Sequence, residues 1–183
     1  MTGETENNVP LFVDLDGTLI AADALVVAIK QLVREKPWCA VLLPWWLRLG
    51  RARFKHRVFE RVDLDVKSLP WRQAVLSYLG QQKAAGRWII LATANHQKIA
   101  DAVAAHLGLF DGVIASDKGA NLKGAAKRAA IQKYTDGKPF DYMGDSMADL
   151  PIMEAARCSL LVHPSAKFRK LAEARCHVAK VFE

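Results

Sequence analysis

Six short apolar runs recur along this chain, and segments with helical spacing separate most of them. An uninterrupted apolar run of this length is typical of a strand that is buried on both faces of a sheet. Strands that alternate with helices predict right-handed crossovers and a parallel sheet covered by helices on both faces. We therefore predict an α/β fold with a Rossmann-like parallel sheet. The predicted strands are LFVDL (11–15), RWIILAT (87–93), GVIAS (112–116), FDYMGD (140–145), CSLLV (158–162) and HVAKVF (177–182).

One long stretch after the first strand interrupts this alternation. Residues 20–86 have helical spacing and contain no convincing strand. We predict that they form a small all-helical cap, while residues 9–19 and 87–183 form the α/β core. Parallel sheets bind ligands beyond the carboxyl ends of their strands, and the cap is expected to stand over that edge. The predicted helices are 23–35, 38–49, 51–62 and 70–85 in the cap and 95–107, 122–134, 147–156 and 165–174 in the core.

The composition favours a globular domain with an anionic partner. The 183 residues, 51% hydrophobic and 25% charged, suit one domain, and the net charge of +7 would attract phosphorylated metabolites, nucleic acid or acidic lipid. The three cysteines show no CxxC spacing, so neither a disulfide framework nor a thiolate zinc site is indicated. No apolar run reaches the length of a membrane span, and the polar start MTGETENNVP is unlike a secretory signal. We expect a cytoplasmic protein.

Pairs of carboxylates follow two of the predicted strands. Asp14 and Asp16 end the first strand, where Gly17 allows a sharp turn, and Asp145 and Asp149 belong to GDSMADLP at the end of the fourth. Burying such acids is costly unless positive charge meets them. Carboxylates without histidine or cysteine suit a hard cation, so we predict a Mg²⁺ site at this edge of the sheet.

A hydroxyl and an ammonium group complete the set. Thr93 ends the second strand, and Lys123 lies at the start of the helix after the third strand, which Asn121 is expected to cap. Phosphoryl transfer requires in-line positioning and charge neutralisation, and these groups together can supply both. Lys127, one helical turn later, is the alternative lysine. We prefer Lys123 because it is nearer the helix start.

The segment DLDGT (14–18), the strand-end Thr93, Lys123 and the segment GDSMAD (144–149) resemble the four motifs of the haloacid dehalogenase-like superfamily, in the same order. The resemblance implies a phosphatase in which Asp14 is a metal ligand and the nucleophile that forms an aspartyl-phosphate. Asp16 would protonate the leaving oxygen and then activate water, and its backbone carbonyl would also bind the metal. Members of the superfamily that dehalogenate lack this second acid.

The resemblance also implies roles for the remaining residues. Thr93 would bind the phosphoryl oxygens together with the backbone of Ala94. Lys123 would neutralise both the nucleophile and the phosphate. Asp145 would bind the metal directly, whereas Asp149 would act through a water molecule or by orienting the direct ligands.

The cap contains an apolar stretch followed by a basic one, PWCAVLLPWWLRLGRARFKHRVFER (37–61). Its apolar part is too short to span a bilayer, and Pro44 interrupts it. Two interpretations stay open. In one, the tryptophans form the cap core and the cations lie on a solvated helix face. In the other, this stretch lies on an anionic membrane, binds a lipid phosphate or docks on a membrane protein. The residues that would then contact the substrate or lipid are Trp45, Trp46, Arg51 and Arg53.

A narrower resemblance bears on the partner. The phrases FKHRV, AVAAHLGLFDGVIASD, NLKGAAK and FDYMGDSMADLPIMEAA are similar to the soluble domain of this superfamily that precedes ubiquinone-biosynthesis-type polyprenyl transferases. It implies a lipid-linked or sugar phosphate as substrate and peripheral contact with the membrane or a membrane transferase. We predict a Mg²⁺-dependent phosphomonoester hydrolase. The alternative is a low-turnover phosphate-binding or interaction domain of a membrane prenyltransferase system. Nucleic acid is not expected, because the basic cap has no recognisable motif or spaced set of stacking aromatics.

Overall fold

Strands and helices alternate through most of the described chain. The computed structural model describes residues 9–116 and 122–183, except the side chains of residues 51 and 52, so the polar leader and the predicted cap Asn121 lie outside the described residues. The strands are β1 Leu11–Val13, β2 Ile89–His96, β3 Gly112–Ser116, β4 Asp141–Gly144, β5 Cys158–Val162 and β6 Val178–Phe182. The helices are α1 Ala24–Glu35, α2 Leu43–Arg48, α3 Arg51–Arg61, α4 Gln73–Ala84, α5 Gln97–Leu107, α6 Ala125–Tyr134, α7 Leu150–Met153 and α8 Ala166–Arg175, with 3₁₀ turns at Pro37–Val41 and Val66–Ser68.

The six strands form one parallel sheet in the order β3-β2-β1-β4-β5-β6. This confirms the predicted α/β fold with a Rossmann-like sheet. The helix predicted at 38–49 is divided into a 3₁₀ turn and α2, because proline is tolerated in the first turn of a helix but not in its interior, and Pro44 lies in the first turn of α2.

Side chains of the strands alternate between two apolar cores. In β1, Leu11 and Val13 belong to the core on one face and Phe12 to the core on the other. The first core also contains buried residues of α1, α3, α4 and α5, and the second contains those of α6, α7 and α8. Helices therefore cover both faces of the sheet. The central strands β1 and β4 are fully buried, whereas the edge strands β3 and β6 are partly exposed.

The inserted helices leave and rejoin the core through a short antiparallel pairing. The Ala21 amide donates to the carbonyl of Pro70 (2.9 Å), and the Arg72 amide donates to the carbonyl of Leu19 (2.9 Å). Beyond this pairing, α4 returns to the sheet, where the ring of Tyr78 contacts Phe182 of β6 with 5.4 Å between centroids. The predicted cap, residues 20–86, includes α4. In the structure α4 packs beside the sheet, and the end of the cap at residue 86 stays a prediction.

The crossover direction changes at β1. From β1 the chain moves to β2 and β3 on one side, and β4 then pairs with β1 on the other side. Val13 is in register with both Leu91 of β2 and Met143 of β4, so these three strands end at nearly the same level. Open α/β sheets bind ligands at such a switch point. No helix among the described residues combines the length and apolar character needed to cross a bilayer.

Candidate active site

Asp14 is the first residue beyond β1, and the sheet fixes its position. Its amide still donates to the carbonyl of Met143 in β4 (3.0 Å), so the side chain projects from the carboxyl end of the strand. Gly17 then turns the chain with φ of +73°, a conformation that favours glycine. A Cβ atom at Gly17 would lie 2.1 Å from Oδ2 of Asp145. Glycine is therefore needed to bring the loop after β1 against the acid that follows β4.

The lysine that contacts Asp14 is Lys127 and not the preferred Lys123. Lys127 Nζ lies 2.8 Å from Asp14 Oδ1 and 3.5 Å from Asp149 Oδ1. Lys123 precedes the first residue of α6 and is exposed at the cavity wall. Lys123 was preferred because it is nearer the helix start, but the helix face decides which lysine reaches Asp14. Lys127 and Ile131, four residues apart, are both buried on the face of α6 that packs on the sheet.

A network around Tyr142 holds the ammonium group in place. The Tyr142 hydroxyl accepts a hydrogen bond from Lys127 Nζ (3.0 Å) and donates one to Asp149 Oδ1 (2.7 Å). Oδ2 of Asp149 accepts from the amide (3.2 Å) and hydroxyl (3.1 Å) of Ser146. Both carboxylate oxygens of Asp149 thus already accept hydrogen bonds. These bonds hold Tyr142, Lys127 and Ser146 in fixed positions around it.

Three carboxylates lie close enough to share one cation. One oxygen from each of Asp14, Asp145 and Asp149 lies within 4.8 Å of the other two. Burial raises the pKa of Asp14 to about 7, although the neighbouring Lys127 opposes this rise. Burial and the charge of Asp149 raise the pKa of Asp145 to about 6. The protein supplies too little positive charge for these acids, and an all-oxygen donor set fits Mg²⁺.

Lys127 keeps its proton in this surrounding. Burial opposes its charge, but the negative charges of Asp14 and Asp149 outweigh burial and hold its pKa above the usual value. Burial, together with the charges of the same two acids, raises the pKa of Tyr142 well above its ordinary range, so the phenol remains a hydrogen-bond donor. The centre therefore contains one ammonium group and one neutral phenol among three carboxyl groups.

The carboxylate of Asp16 lies outside this group of three. Its Oδ1 accepts from the Ala24 amide (2.9 Å), and its Oδ2 accepts from the side-chain amide of Asn95 (2.8 Å). Burial raises the pKa of Asp16, and the bond from Ala24 partly offsets the rise. An acid that is oriented by two donors and holds its proton to a higher pH than usual suits proton transfer.

The end of β2 supplies backbone groups and a buried hydroxyl. Thr93 is buried, and its hydroxyl accepts from the amide of Asn95 (3.1 Å). Ala94 lines the cavity, and its carbonyl accepts from Lys55 Nζ of the cap (3.1 Å). Beside this contact, His56 of α3 and His96 of β2 lie 2.9 Å apart between ring nitrogens. Two neighbouring residues of α3 thus connect the cap to the end of β2.

These groups surround a cavity of about 460 Å³ at the carboxyl end of the sheet. The inserted segment supplies Asp23 and Lys55, and the core supplies Lys127 and the other acids, Asp14, Asp16, Asp145 and Asp149. Arg72, whose amide belongs to the antiparallel pairing, lines the wall, and its Nε donates to the carbonyl of Gly17 (3.0 Å). The described lining residues include no aromatic and no large aliphatic side chain.

The four residues predicted to contact substrate from the cap are placed elsewhere. Trp46 is buried in the cap beneath the guanidinium of Arg61, 4.7 Å from its ring centroid, which corrects its assignment to the substrate. Trp45 and Arg53 are exposed, and neither lines the cavity as described. Arg51 begins α3, but its side chain lies outside the described residues.

Several site residues were not predicted, although some have a recognisable signal. Lys55 lies four residues before the buried Phe59 of α3 and seven before the buried Val62 that follows this helix, a spacing that marks it as the inward cation of the basic run. Asn95 directly precedes His96, the residue that caps α5, and its side-chain amide donates to Asp16. The third signal is the hydroxyl of Tyr142, a polar group inside the fully buried strand β4.

The comparison with protein families gives one extended match. The model of the haloacid dehalogenase-like hydrolases matches residues 11–154. The matched region begins with β1 and includes all four carboxylates, Thr93 and both candidate lysines.

Individual proteins show the same likeness. The uncharacterized protein y4nM of Sinorhizobium fredii (strain NBRC 101917 / NGR234) is 38% identical over 176 residues, which cover 94% of this chain and 34% of that protein. This chain therefore spans about a third of the length of that relative. A structure from Bordetella pertussis Tohama I, of a protein with unknown function, matches with a TM-score of 0.72 and 18% identity over 95% of this chain and 97% of that chain. A phospho-aspartyl intermediate analogue of phosphoserine phosphatase matches with a TM-score of 0.64 and 14% identity, over 96% and 93%. At these identities the two structures show a shared fold.

Proposed function

The chain belongs to the haloacid dehalogenase-like hydrolase family, and from this membership we propose that it is a Mg²⁺-dependent phosphatase acting on phosphomonoesters. The observation that carries the proposal is the carboxylate of Asp14, which projects from the end of β1 into the cavity, 2.8 Å from the ammonium of Lys127. A carboxylate so placed can attack phosphorus, and the lysine beside it reduces the repulsion between nucleophile and phosphate. The similarity to a phospho-aspartyl analogue of phosphoserine phosphatase supports this role.

The first chemical step joins Asp14 to the phosphoryl group. An Oδ atom of Asp14 forms a bond to phosphorus while the bond from phosphorus to the leaving oxygen breaks. Asp16 gives its proton to that oxygen, so the product leaves as an alcohol. The hydrogen bonds from Ala24 and Asn95 hold Asp16 in one orientation for this transfer.

The second step releases phosphate and restores both acids. A water molecule attacks phosphorus, its proton passes to the Asp16 carboxylate, and the bond between phosphorus and Asp14 breaks. Inorganic phosphate leaves, and Asp16 again carries the proton needed for the next cycle. We assign the neutralising role to Lys127, which contacts Asp14 directly. Thr93 and Ala94, at the end of the neighbouring strand, remain the proposed phosphoryl-binding residues.

The metal assignment rests on the chemistry of the donor set. Asp14 and Asp145, together with the backbone carbonyl of Asp16, are the proposed direct ligands, and Asp149 is proposed to act through water or by orienting them. Its two oxygens already accept from Tyr142, Lys127 and Ser146, which supports the indirect role. When bound, Mg²⁺ would supply positive charge to the phosphoryl oxygens and to the excess carboxylates.

The cavity favours a compact, polar substrate. Its described lining consists of charged side chains, Ser146, small alanines and glycines, whereas a prenyl chain needs large apolar contacts. A sugar phosphate or another small phosphomonoester fits this lining. A lipid-linked phosphate is the second substrate class, and its chain would have to extend outside the cavity. Lys55 and Arg72 can meet an additional anionic group at the wall.

The test is phosphate release from aryl, sugar, amino-acid and prenyl phosphates, with and without Mg²⁺. We expect metal-dependent release that Asp14→Asn abolishes, and the fastest release from a sugar or amino-acid phosphate. Fastest release from the prenyl phosphate would instead favour the lipid-linked class. Metal-independent release, or release that persists in Asp14→Asn, would contradict the mechanism.

A binding or interaction module is the alternative function. The observation that favours it is the span of the chain, about a third of the length of its Sinorhizobium relative, because a short domain can serve a longer assembly without turnover. A module that only binds phosphate has no need for a proton donor oriented as Asp16 is. Mg²⁺ binding by the folded protein without release from any phosphate ester would support this alternative.

A further inference from the structure

Four large apolar side chains are exposed within one short segment of the cap, formed by the 3₁₀ turn and α2. Trp38, Val41, Trp45 and Leu47 are 62%, 80%, 63% and 55% exposed. They lie within ten consecutive residues and make up half of the large exposed apolar side chains in the described part of the chain. Large apolar groups concentrated on a surface in this way mark an interaction site. We call these four residues the tryptophan patch.

Buried neighbours hold the tryptophan patch in its exposed position. Cys39 and Trp46, interleaved with the patch residues in sequence, are buried in the core. The guanidinium of Arg61 lies over the Trp46 ring, and Lys36 Nζ donates to the carbonyl of Arg61 (2.8 Å). The 3₁₀ turn and α2 are therefore anchored to α3, and the outward tryptophans are part of a packed element. A preorganised apolar surface loses little conformational entropy when it is covered.

Positive charge is concentrated in the same segment. Residues 36–61 contain seven lysines and arginines and one glutamate, a net charge of +6 out of +7 for the whole chain. Among these, Arg48 at the end of α2 and Arg53 in α3 are exposed. The apolar patch and the exposed arginines thus lie within residues 38–53, on the 3₁₀ turn, α2 and the start of α3.

We propose that the tryptophan patch and the adjoining arginines bind the surface of an anionic lipid bilayer. Tryptophan is enriched at the level of lipid head groups, and arginines beside it are attracted to negatively charged head groups. Val41 and Leu47 can enter the boundary between head groups and acyl chains, as the apolar face of an interfacial element does. The segment would lie on the bilayer and not cross it.

Charge and shape disfavour the other candidate occupants. A second copy docked through the same patch would bring two segments of net charge +6 together, which is repulsive. A nucleic acid strand would satisfy the arginines, but the aliphatic Val41 and Leu47 offer it no stacking surface. Because none of the patch residues is among those lining the catalytic cavity as described, the proposal is independent of the proposed phosphatase activity.

The experiment is co-sedimentation of the full chain with phosphatidylcholine vesicles, with and without phosphatidylserine. We expect binding that requires phosphatidylserine and weakens as salt rises, because head-group attraction is screened. The double variant Trp38→Ser, Trp45→Ser should bind at least about tenfold more weakly, since two interfacial side chains are lost. Arg48→Glu should lower the affinity about fivefold or more.

The matched control is Trp88→Ser, which removes an equally exposed tryptophan (61%) outside the patch and should bind like the wild type. All variants are checked by circular dichroism, and release of phosphate from a water-soluble ester should be unchanged in the patch variants. Failure to bind phosphatidylserine vesicles would overturn the proposal, as would an equal loss in Trp88→Ser. Self-association that the double variant abolishes would assign the patch to a second copy instead. None of these outcomes depends on whether the phosphatase mechanism is correct.

Discussion

The two ends of β4 hold buried carboxylates in opposite charge surroundings. At the amino end, Asp141 accepts from two guanidinium groups, those of Arg87 and Arg157, and from the amide of Cys158. At the carboxyl end, the three carboxyl groups of the candidate metal site share one ammonium group, that of Lys127. One end has more positive than negative charge, and the other has the reverse.

This difference separates a structural site from a chemical one. The protein neutralises Asp141 completely with its own groups, so no additional ion is needed there. The acids at the carboxyl end of the sheet remain under-neutralised. Burial, and then the charge of Asp149, raises the pKa values of Asp14 and Asp145, and this favours binding of a cation and a substrate. Removing a carboxylate charge should therefore lower activity at the carboxyl end of the sheet and lower stability at the amino end.

The largest expected effect is on turnover. Asp14→Asn removes the proposed nucleophile, and the rate of phosphate release should fall by about 10⁴-fold or more. The fold should persist, because an asparagine oxygen can still accept from Lys127. Asp141→Asn is the matched control at the other end of the sheet, and it should retain the wild-type rate at temperatures where it is folded. Comparable losses of rate in the two folded variants would end the distinction drawn between the two sites.

The two lysines provide the next test. Lys127→Met leaves Asp14 without its ammonium partner and should lower kcat/KM by about 10²–10³-fold. Lys123→Met removes an exposed charge from the cavity wall and should change kcat/KM by less than about tenfold, mainly through KM. Steady-state kinetics of both variants decides between them. A larger effect at Lys123 would show that substrate binding rearranges the cavity around that residue.

Local patterns were sufficient to predict the strands and the acids that follow them. A buried strand such as β2 or β5 is a continuous apolar run, and an acid directly after a parallel strand must lie at the functional edge. The turn at Gly17 was predictable for the same reason, since the acids and the glycine are neighbours in sequence. These features depend on a few adjacent residues.

Features that depend on helix orientation or distant packing were harder to predict. Lys127 becomes the partner of Asp14 only because α6 turns that face, with Ile131, toward the sheet. The place where the inserted helices rejoin the core depends on the pairing of Ile20 with Trp71, far apart in sequence. The exposure of Trp45 beside the buried Trp46 likewise follows from how α2 packs on α3. No short sequence window contains this information.

The amino end of β4 should determine stability. Asp141→Asn leaves two arginines without their carboxylate, one of them, Arg87, almost fully buried. Removing one partner of a buried ion pair costs about 3 kcal/mol. Urea unfolding should show this loss for Asp141→Asn and little loss for Asp14→Asn in the absence of Mg²⁺. If Asp14→Asn were the less stable variant, the acids beyond β4 would be structural and not catalytic.

The last expected effect is a pH dependence of stability in the metal-free protein, which Mg²⁺ should counteract. Folding raises the pKa of Asp14 from 3.8 to about 7 and that of Asp145 from 3.8 to about 6 in the metal-free protein. A group whose pKa is higher in the folded state stabilises the fold below its unfolded pKa, and this contribution is lost as the pH rises through the folded value. The Tm of the metal-free protein should therefore fall between about pH 4 and pH 7, by about 2–4 °C for each kcal/mol lost.

Calorimetry with EDTA and with Mg²⁺ measures this effect directly. Because protons compete with the metal for the same oxygens, Mg²⁺ should raise Tm more above pH 7 than at acidic pH. Asp14→Asn should show a shallower decline than the wild type and a smaller response to Mg²⁺, whereas Asp141→Asn should keep the wild-type slope from a lower starting Tm. Parallel curves for the wild type and Asp14→Asn would mean that the unbalanced charge beyond β4 is not coupled to folding, and the two ends of the strand would then differ in packing alone.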